Sequence, residues 1–436
     1  MSTPWRPLLH GSLADRALEA VFAIAEDIPK QDSWIPPSLS GSVESAWRSG
    51  LASGAAGQAL FYGYLALHTG EERWADLTID LLDRAAESVA AVPMTESLYS
   101  GFPGIAWVGD HLRGRLFDGD PDENREVDEA LLAALEHPSW PSEYDLINGL
   151  VGLGIYALEG LPRPTARTLL ERVGDRLGER AEERPEGAGW FSTPETLPDF
   201  QREEFPGGLF NLGASHGAAG AVALLGAASQ AGVTAARPLL ERVVAWLLAR
   251  RQPDEAGYAF SHFYVPEVEP RICRLAWCYG DPGMAATLLV AARGAGDPAW
   301  ERAAVEVARL AADRPENQAR IQDAGLCHGA GGLAQIFNRM HQTTGDERLA
   351  DAARAWYDRV LRERIPGLGF GGFRAWASGL TGTPDWRDDP GFLEGAAGIG
   401  LALLAAVSPV EPAWDRVLLV SLREPSLSPG ADLTAL

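Results

Sequence analysis

A short glycine motif that recurs seven times constrains the fold of this chain more than any other feature. The motif has the form G-x-x-G, and its first glycines stand at positions 54, 101, 149, 217, 280, 329 and 395. The shortest step, from 54 to 101, is 47 residues, and the longest, from 149 to 217, is 68, so each step has room for two helices. An apolar segment rich in alanine and leucine follows each copy, as in residues 395–407. This self-similarity predicts a helical repeat architecture.

A second recurring element lies between the glycine motifs. Its three clearest copies begin at Gly70, Gly296 and Gly345. In each copy, acidic residues follow the glycine and precede an amphipathic run, and acidic side chains favour the N-terminus of a helix. After the first copy, Trp74, Leu77 and Leu81 fall on one helix face, whereas the other face is charged. Each repeat is therefore predicted to supply one inner helix and one amphipathic outer helix.

Seven inner helices enclosed by seven outer helices predict an all-α fold, a closed α/α toroid. We expect a single domain over residues 1–436, with a short flexible tail at about 424–436. Two segments rich in proline and aromatic residues, 190–212 and 258–268, are expected to form loops or hairpins over one end of the ring. Residues 118–127 are expected to form a solvent-exposed acidic loop.

Charge and hydropathy exclude several classes of partner. The chain has 37 Lys and Arg against 60 Asp and Glu, a net charge of −23, which disfavours nucleic acid and anionic membranes. No signal peptide is recognisable, and no apolar stretch reaches the roughly 20 residues that a membrane span needs. We therefore expect a soluble, cytoplasmic protein. Three cysteines are too few for a disulfide framework in a chain of this length.

Comparison of the repeats with one another locates the candidate chemistry. The residue before the first glycine is His216, Tyr279 and His328 in the fourth, fifth and sixth copies. One residue earlier, the fifth and sixth copies carry Cys278 and Cys327. Because the motif marks the same end of each inner helix, these side chains should meet at one mouth of the ring. Two thiolates and the imidazole of His328 predict a tetrahedral zinc site with one open, catalytic position.

Two alternatives remain open from the residues alone. Cys278 and Cys327 could be small apolar fillers, with His328 a hydrogen-bonded core histidine. A closed structural zinc site with His216 as the fourth ligand is the other alternative. Cys273, five residues before Cys278, is interpreted as a packing residue.

Four segments resemble the motifs of the lanthionine synthetase C family. These segments are 145–149, 215–217, 274–280 and 327–329, and the glycine motifs extend the resemblance over nearly the whole chain. The resemblance implies an α/α toroid and one zinc ion per chain. It implies that the zinc ligands are Cys278, Cys327 and His328. It also implies further active-site residues at Asp145, His216, Arg274 and Tyr279.

The implied function is that of a lanthionine- and methyllanthionine-forming peptide cyclase. A cysteine thiolate activated by zinc would add to a dehydroalanine or dehydrobutyrine of the same peptide in a Michael-type addition. We expect His216 to protonate the resulting enolate. Arg274 would stabilise the enolate oxygen or hold Asp145, Asp145 would orient an imidazole, and Tyr279 would hydrogen-bond around the site.

Each of these roles has a structural alternative, and so has the function. Arg274 and Asp145 could form a buried ion pair, Tyr279 could be a core aromatic, and His216 could serve in packing. Addition of glutathione or another small thiol to dehydroamino acids in proteins would need the same zinc. A non-catalytic toroid that binds a modified peptide is the third possibility. As partners of a cyclase we expect a dehydrated precursor peptide, a separate dehydratase and an exporter.

Overall fold

A computed structural model describes residues 4–30, 39–137, 143–377 and 384–422. The tail expected at 424–436 lies outside these ranges. The α-helices within them are α1 (Gly11–Asp27), α2 (Gly41–Ser49), α3 (Ala55–Thr69), α4 (Glu72–Ala91), α5 (Phe102–Leu112), α6 (Arg125–Glu136), α7 (Leu150–Glu159), α8 (Pro164–Arg180), α9 (Asp199–Glu204), α10 (Ala218–Gln230), α11 (Ala236–Leu248), α12 (Asp281–Ala295), α13 (Pro298–Ala312), α14 (Ala330–Thr344), α15 (Glu347–Glu363) and α16 (Ala396–Val407). None of the helices in the described ranges is both long and apolar enough to cross a membrane.

The glycine motifs start the helices of the inner ring. These helices are α3, α5, α7, α10, α12, α14 and α16, and each begins immediately after the first glycine of its motif. Each helix packs against the next, and α16 packs against α3, so the ring closes. Almost every residue of α10 and α16 is buried, as expected for helices covered on all sides.

The outer layer consists of α1, α4, α6, α8, α11, α13 and α15. Five of these helices pack against the inner helix that precedes them in the chain, and α1 packs against α16. The predicted toroid of seven inner and seven outer helices is thus confirmed within the described residues. The assignment of the whole chain to one domain stays a prediction. The short helix α2 is an addition that the repeat pattern does not predict.

The second recurring element joins an inner helix to an outer one. Gly70, Gly296 and Gly345 adopt left-handed φ values of 70°, 68° and 73° and end the inner helices α3, α12 and α14. The outer helix begins two residues later in each case. At α13 the carboxylate of Asp297 accepts hydrogen bonds from the amides of the first turn, which leaves fewer unpaired N–H groups at the helix start.

Both motif glycines are required by the turn that leads into each inner helix. A Cβ on Gly149 would lie 1.7 Å from the carbonyl oxygen of Glu143, and a Cβ on Gly283 would lie 1.9 Å from that of Trp277. At all seven second glycines the same contact, with the carbonyl six residues earlier, would be 2.6 Å or less. The chain therefore folds back tightly on every helix start, which places the preceding residues at one end of the ring.

Short strands extend the helical frame. They are β1 (Glu182–Arg184), β2 (Gly187–Gly189), β3 (Phe191–Ser192), β4 (Leu209–Asn211), β5 (Phe263–Tyr264), β6 (Ala375–Ala377) and β7 (Asp385–Arg387). β1–β2 and β6–β7 are antiparallel pairs, and β3, β4 and β5 form one antiparallel sheet. Segments 190–212 and 258–268, predicted as loops or hairpins, therefore pair with each other through β4 and β5.

Two predictions about polar segments need correction. The acidic loop predicted over 118–127 ends earlier, because α6 begins at Arg125 with Glu126 and Asp128 in its first turn, where acidic side chains are favourable. The inner helix α14 is not apolar all round, since Gln335, Asn338 and Arg339 are buried on it.

Gln335 and Arg339 bind a C-terminal segment inside the ring. Arg339 Nε donates to Asp415 at 2.8 Å, and both side chains are buried. Trp277, which precedes α12, donates to the carbonyl of Leu418 at 2.7 Å. Tyr99, which precedes α5 on the far side of the ring, donates to the carbonyl of residue 417 at 2.9 Å. Residues 413–418 therefore close the interior between opposite inner helices.

Candidate metal centre

The turns before the inner helices are joined from repeat to repeat by backbone hydrogen bonds. The amide of Cys278 donates to the carbonyl of Cys327 at 3.2 Å, and the amide of Cys327 donates to that of Leu393 at 2.8 Å. The amide of Leu393 donates to Ala52 at 3.0 Å, and that of Ala52 to Tyr99 at 2.9 Å. Equivalent positions of neighbouring repeats are thus fixed side by side, which explains why two cysteines about 50 residues apart can meet.

Cys278, Cys327 and His328 form one cluster, in which the candidate ligand atoms all lie within 4.8 Å of one another. Cys278 is buried and the other two residues are half-buried. The hydrogen bond between the two sulfur atoms lowers the pKa of Cys278 and raises that of Cys327, so one thiolate forms readily and the second is disfavoured. Burial opposes a charge on His328, but the hydrogen bond and charge of Cys278 raise the pKa of His328 to about 9.

The donor set fits zinc. Two thiolates and one imidazole are preferred zinc ligands, and the tetrahedral geometry of zinc leaves one position for a substrate atom. His328 Nε2 lies 3.2 Å from the carbonyl oxygen of Trp376, to which it would donate. A ligating histidine usually donates its second ring N–H in this way, which leaves Nδ1 for the metal. Among the described residues, no fourth Cys, His, Asp or Glu joins the cluster.

His216, proposed above as an alternative fourth ligand, is instead held by Asp145. Its Nδ1 lies 2.5 Å from Asp145 Oδ2. Asp145 is 4% exposed, and its other oxygen accepts the amide of Asn148 at 2.7 Å. Burial disfavours a charge on the ring, but the hydrogen bond and charge of Asp145 outweigh it and raise the pKa of His216. With Nδ1 engaged and the side chain 39% exposed, Nε2 is the ring nitrogen available to a substrate.

Tyr279 lies beside His216, with ring centroids 6.3 Å apart and planes inclined by 24°. Its hydroxyl accepts a hydrogen bond from Asn211 Nδ2 at 3.1 Å, and burial raises the pKa of Tyr279. A Cβ on Gly213 would lie 2.6 Å from the Tyr279 ring, so the glycine is needed for this packing. Tyr279 is not simply a core aromatic, the alternative given above, because its ring is only half-buried and lies next to His216.

Arg274 is exposed, and among the described residues it forms no ion pair with Asp145. The alternative of a buried Arg274–Asp145 pair is therefore wrong. The hydrogen bond from Cys327 is the main cause of the lowered pKa of Cys278, and the positive charge of Arg274 contributes to it. Cys273 is outside the cluster, and burial raises the pKa of its thiol to about 11, in agreement with a packing role.

The sequence analysis missed three residues around the cluster, although all three share one position relative to a glycine motif. Asn211, Asp323 and Asp389 each stand six residues before a motif glycine. The side chain of each accepts the amide two residues further on, at 3.0, 3.2 and 2.8 Å. Glu394, the residue before the seventh motif glycine, also borders the site, and its negative charge contributes to the raised pKa of Cys327.

The chain is similar to known proteins in sequence and in fold. A family model described as "Lanthionine synthetase C-like protein" matches residues 45–419. "Nisin biosynthesis protein NisC" of Lactococcus lactis subsp. lactis is 24% identical over 301 residues, which cover 62% of this chain and 69% of that protein. The solved structure "Nisin cyclase" has a TM-score of 0.71 and 19% identity, covering 93% of this chain and 97% of that one, so the two share a fold.

Proposed function

This chain belongs to the lanthionine synthetase C-like family, and from that premise we propose that it is a zinc-dependent peptide cyclase. It would form lanthionine and methyllanthionine thioethers by adding a cysteine of a precursor peptide to dehydroalanine or dehydrobutyrine. The observation that carries the proposal is the cluster of Cys278, Cys327 and His328, with donor atoms within 4.8 Å of one another. The His216–Asp145 pair, with His216 beside Tyr279, would supply the proton that the addition needs.

Cys278, Cys327 and His328 would hold the zinc ion. When bound, zinc would lower the pKa of a substrate cysteine thiol so that the thiolate is present near neutral pH. Glu394 brings one acidic group to this position, and Arg274, His216 and Tyr279 would bring cationic or polar ones. The latter three can therefore bind the peptide next to the cluster and accommodate negative charge that develops during the reaction.

The addition forms a bond between the cysteine sulfur and the β-carbon and moves the electron pair of the alkene to the α-carbon and its carbonyl. The resulting enolate needs one proton at the α-carbon. His216 is suited to give it, because Asp145 holds Nδ1, which leaves Nε2–H toward the substrate. The raised pKa of His216 keeps the ring protonated over a wider pH range than a free imidazole.

Arg274 and Tyr279 would stabilise the enolate without transferring its proton. The exposed guanidinium of Arg274 is free to reach a substrate carbonyl oxygen. The Tyr279 hydroxyl accepts a hydrogen bond from Asn211, so its own hydrogen can be donated to the peptide. The partners of this reaction would be a dehydrated precursor peptide, a separate dehydratase that prepares it and an exporter for the product.

The direct test uses the protein and a dehydrated peptide that contains one cysteine. Free thiols are counted by alkylation and mass spectrometry before and after incubation. We expect the loss of one alkylatable thiol without a change in peptide mass, and we expect chelation of zinc to abolish it. An unchanged thiol count contradicts the proposal. A mass increase equal to glutathione, in a reaction supplied with glutathione, would support the small-thiol alternative instead.

A further inference from the structure

We propose that Asp323 is a positioning residue for the metal ligand His328, and that it acts through the backbone of the β6–β7 hairpin. The inference rests on the proposed function, because it assumes that His328 binds zinc. It assigns to this hairpin, which the repeat pattern does not predict, the task of fixing which nitrogen of His328 faces the metal.

A continuous chain of hydrogen bonds connects Asp323 to the ligand ring. Asp323 Oδ2 accepts the amide of Trp376 at 2.8 Å. The carbonyl oxygen of the same residue lies 3.2 Å from His328 Nε2. The N–H of Trp376 on β6 thus donates to the carboxylate of Asp323, and the C=O of the same residue accepts from the imidazole of His328. The N–H and the C=O of Trp376 belong to adjacent peptide groups, and the pairing of β6 with β7 keeps the backbone between them extended, so holding the amide also limits the direction of the carbonyl.

Asp323 is itself held firmly in the turn that precedes α14. It is 4% exposed, and its Oδ1 accepts the amide of Gly325 at 3.2 Å. A Cβ on Gly329 would lie 2.4 Å from the same oxygen, so the carboxylate packs directly against the start of the helix next to His328. The Asp323 carboxylate therefore contacts the turn before α14, the start of that helix and the β6–β7 hairpin.

The hairpin is anchored at a second point, which leaves its backbone little freedom. Arg387 on β7 is 5% exposed and contacts the carboxylates of Glu394 and Asp389, the latter at 3.3 Å. Ala375 and Arg387 are paired in the register of the two strands. The two anchors come from the turns before the sixth and seventh inner helices. Both strands are thus held against the mouth on the side of His328.

A displaced Trp376 carbonyl would release His328 Nε2 and let the ring rotate. Residues that fix a ligating histidine through its second nitrogen typically contribute about 10- to 100-fold to metal affinity. We therefore expect Asp323→Ala to weaken zinc affinity by about 10- to 100-fold. Asp323→Asn should weaken it less, since an amide oxygen can still accept one of the two N–H groups.

Two variants serve as controls. Asn211→Ala removes a hydrogen bond of the same kind, from the amide of Gly213 at 3.0 Å in the turn before α10, together with the hydrogen bond from Asn211 to Tyr279. Trp376→Phe keeps both peptide groups and changes only the ring. We expect wild-type zinc affinity in both, because neither change touches the connection between Asp323 and His328.

Zinc affinity is measured by competition with a chromogenic chelator, and folding of each variant is checked by circular dichroism. An Asp323→Ala protein that folds and binds zinc as tightly as the wild type overturns the inference while leaving the proposed function intact. A wild-type protein that binds no zinc overturns the proposed function itself.

A second measurement needs no variant at Asp323. Long-range ¹H–¹⁵N spectra of the wild-type zinc protein distinguish the two nitrogens of each histidine ring, and His328→Gln assigns the signals. We expect Nδ1 of His328 to be metal-bound and Nε2 to carry the proton. Binding through Nε2 overturns the inference even if Asp323→Ala fails to fold.

Discussion

Replacing Asp145 with asparagine tests how His216 keeps the proton that the reaction requires. The two side chains are 2.5 Å apart, and Asp145 is nearly fully buried. Asparagine preserves the size of the side chain and one acceptor oxygen but removes the negative charge. Because that charge raises the pKa of His216, its removal should lower the pKa of His216. The charged ring is the proton donor, so the loss of activity should appear on the alkaline side.

The magnitude follows from the kind of hydrogen bond and from the exposure of the ring. A hydrogen bond to a charged group contributes about 1.5–3 kcal/mol. The His216 side chain is 39% exposed, so solvent screening favours the lower end, about 1.5 kcal/mol. At about 1.4 kcal/mol per factor of ten, the fraction of charged His216 above its pKa falls about tenfold. Well below the pKa the ring is charged in both proteins, and the rates should be similar.

The assay is the initial rate of thiol loss against pH for the wild type and Asp145→Asn on the same dehydrated peptide. We expect the alkaline limb to move to lower pH in the variant. Zinc content should stay unchanged, because Asp145 is not part of the metal cluster. An unchanged alkaline limb would refute the link between Asp145 and the proton on His216. A loss of equal size at every pH would show that Asp145 only orients the ring.

Three further predictions concern His216, the metal cluster and the inner ring. His216→Ala should reduce the rate by roughly 10²- to 10⁴-fold while zinc is retained, and concurrent loss of zinc would make His216 a ligand instead. Wild-type protein should contain about one zinc per chain by elemental analysis, and Cys327→Ala should lose most of it while its helical circular dichroism persists. Gly283→Ala should lower the free energy of unfolding by about 1–3 kcal/mol, because its Cβ would meet the Trp277 carbonyl. Gly174→Ala on the outer helix α8, where a Cβ has open space, should instead raise it by about 0.5–1 kcal/mol, as measured in urea.

The features that were predicted correctly depend on local sequence. A turn in which a Cβ would lie 1.7 or 1.9 Å from a backbone carbonyl oxygen, as at Gly149 and Gly283, admits only glycine, so the glycines accompany the helix starts. The glycines recur wherever the architecture repeats, and comparison of the repeats therefore predicts the cluster of Cys278, Cys327 and His328. Backbone hydrogen bonds between adjacent turns then make equivalent positions neighbours in space.

Tertiary structure alone decided the partners of these residues. Asp145 and His216 are 71 residues apart, and nothing in their spacing favours their pairing over that of Asp145 with Arg274, which the structure rejects. Trp376 reaches His328 across 48 residues through a backbone carbonyl, a contact that leaves no trace in side-chain identity. Local periodicity fixes which face of a helix is buried, because it depends on residues within a few turns. The distant group that forms the remaining hydrogen bond is determined by how the turns and hairpins pack at the mouth of the ring. This packing exists only once the ring has closed.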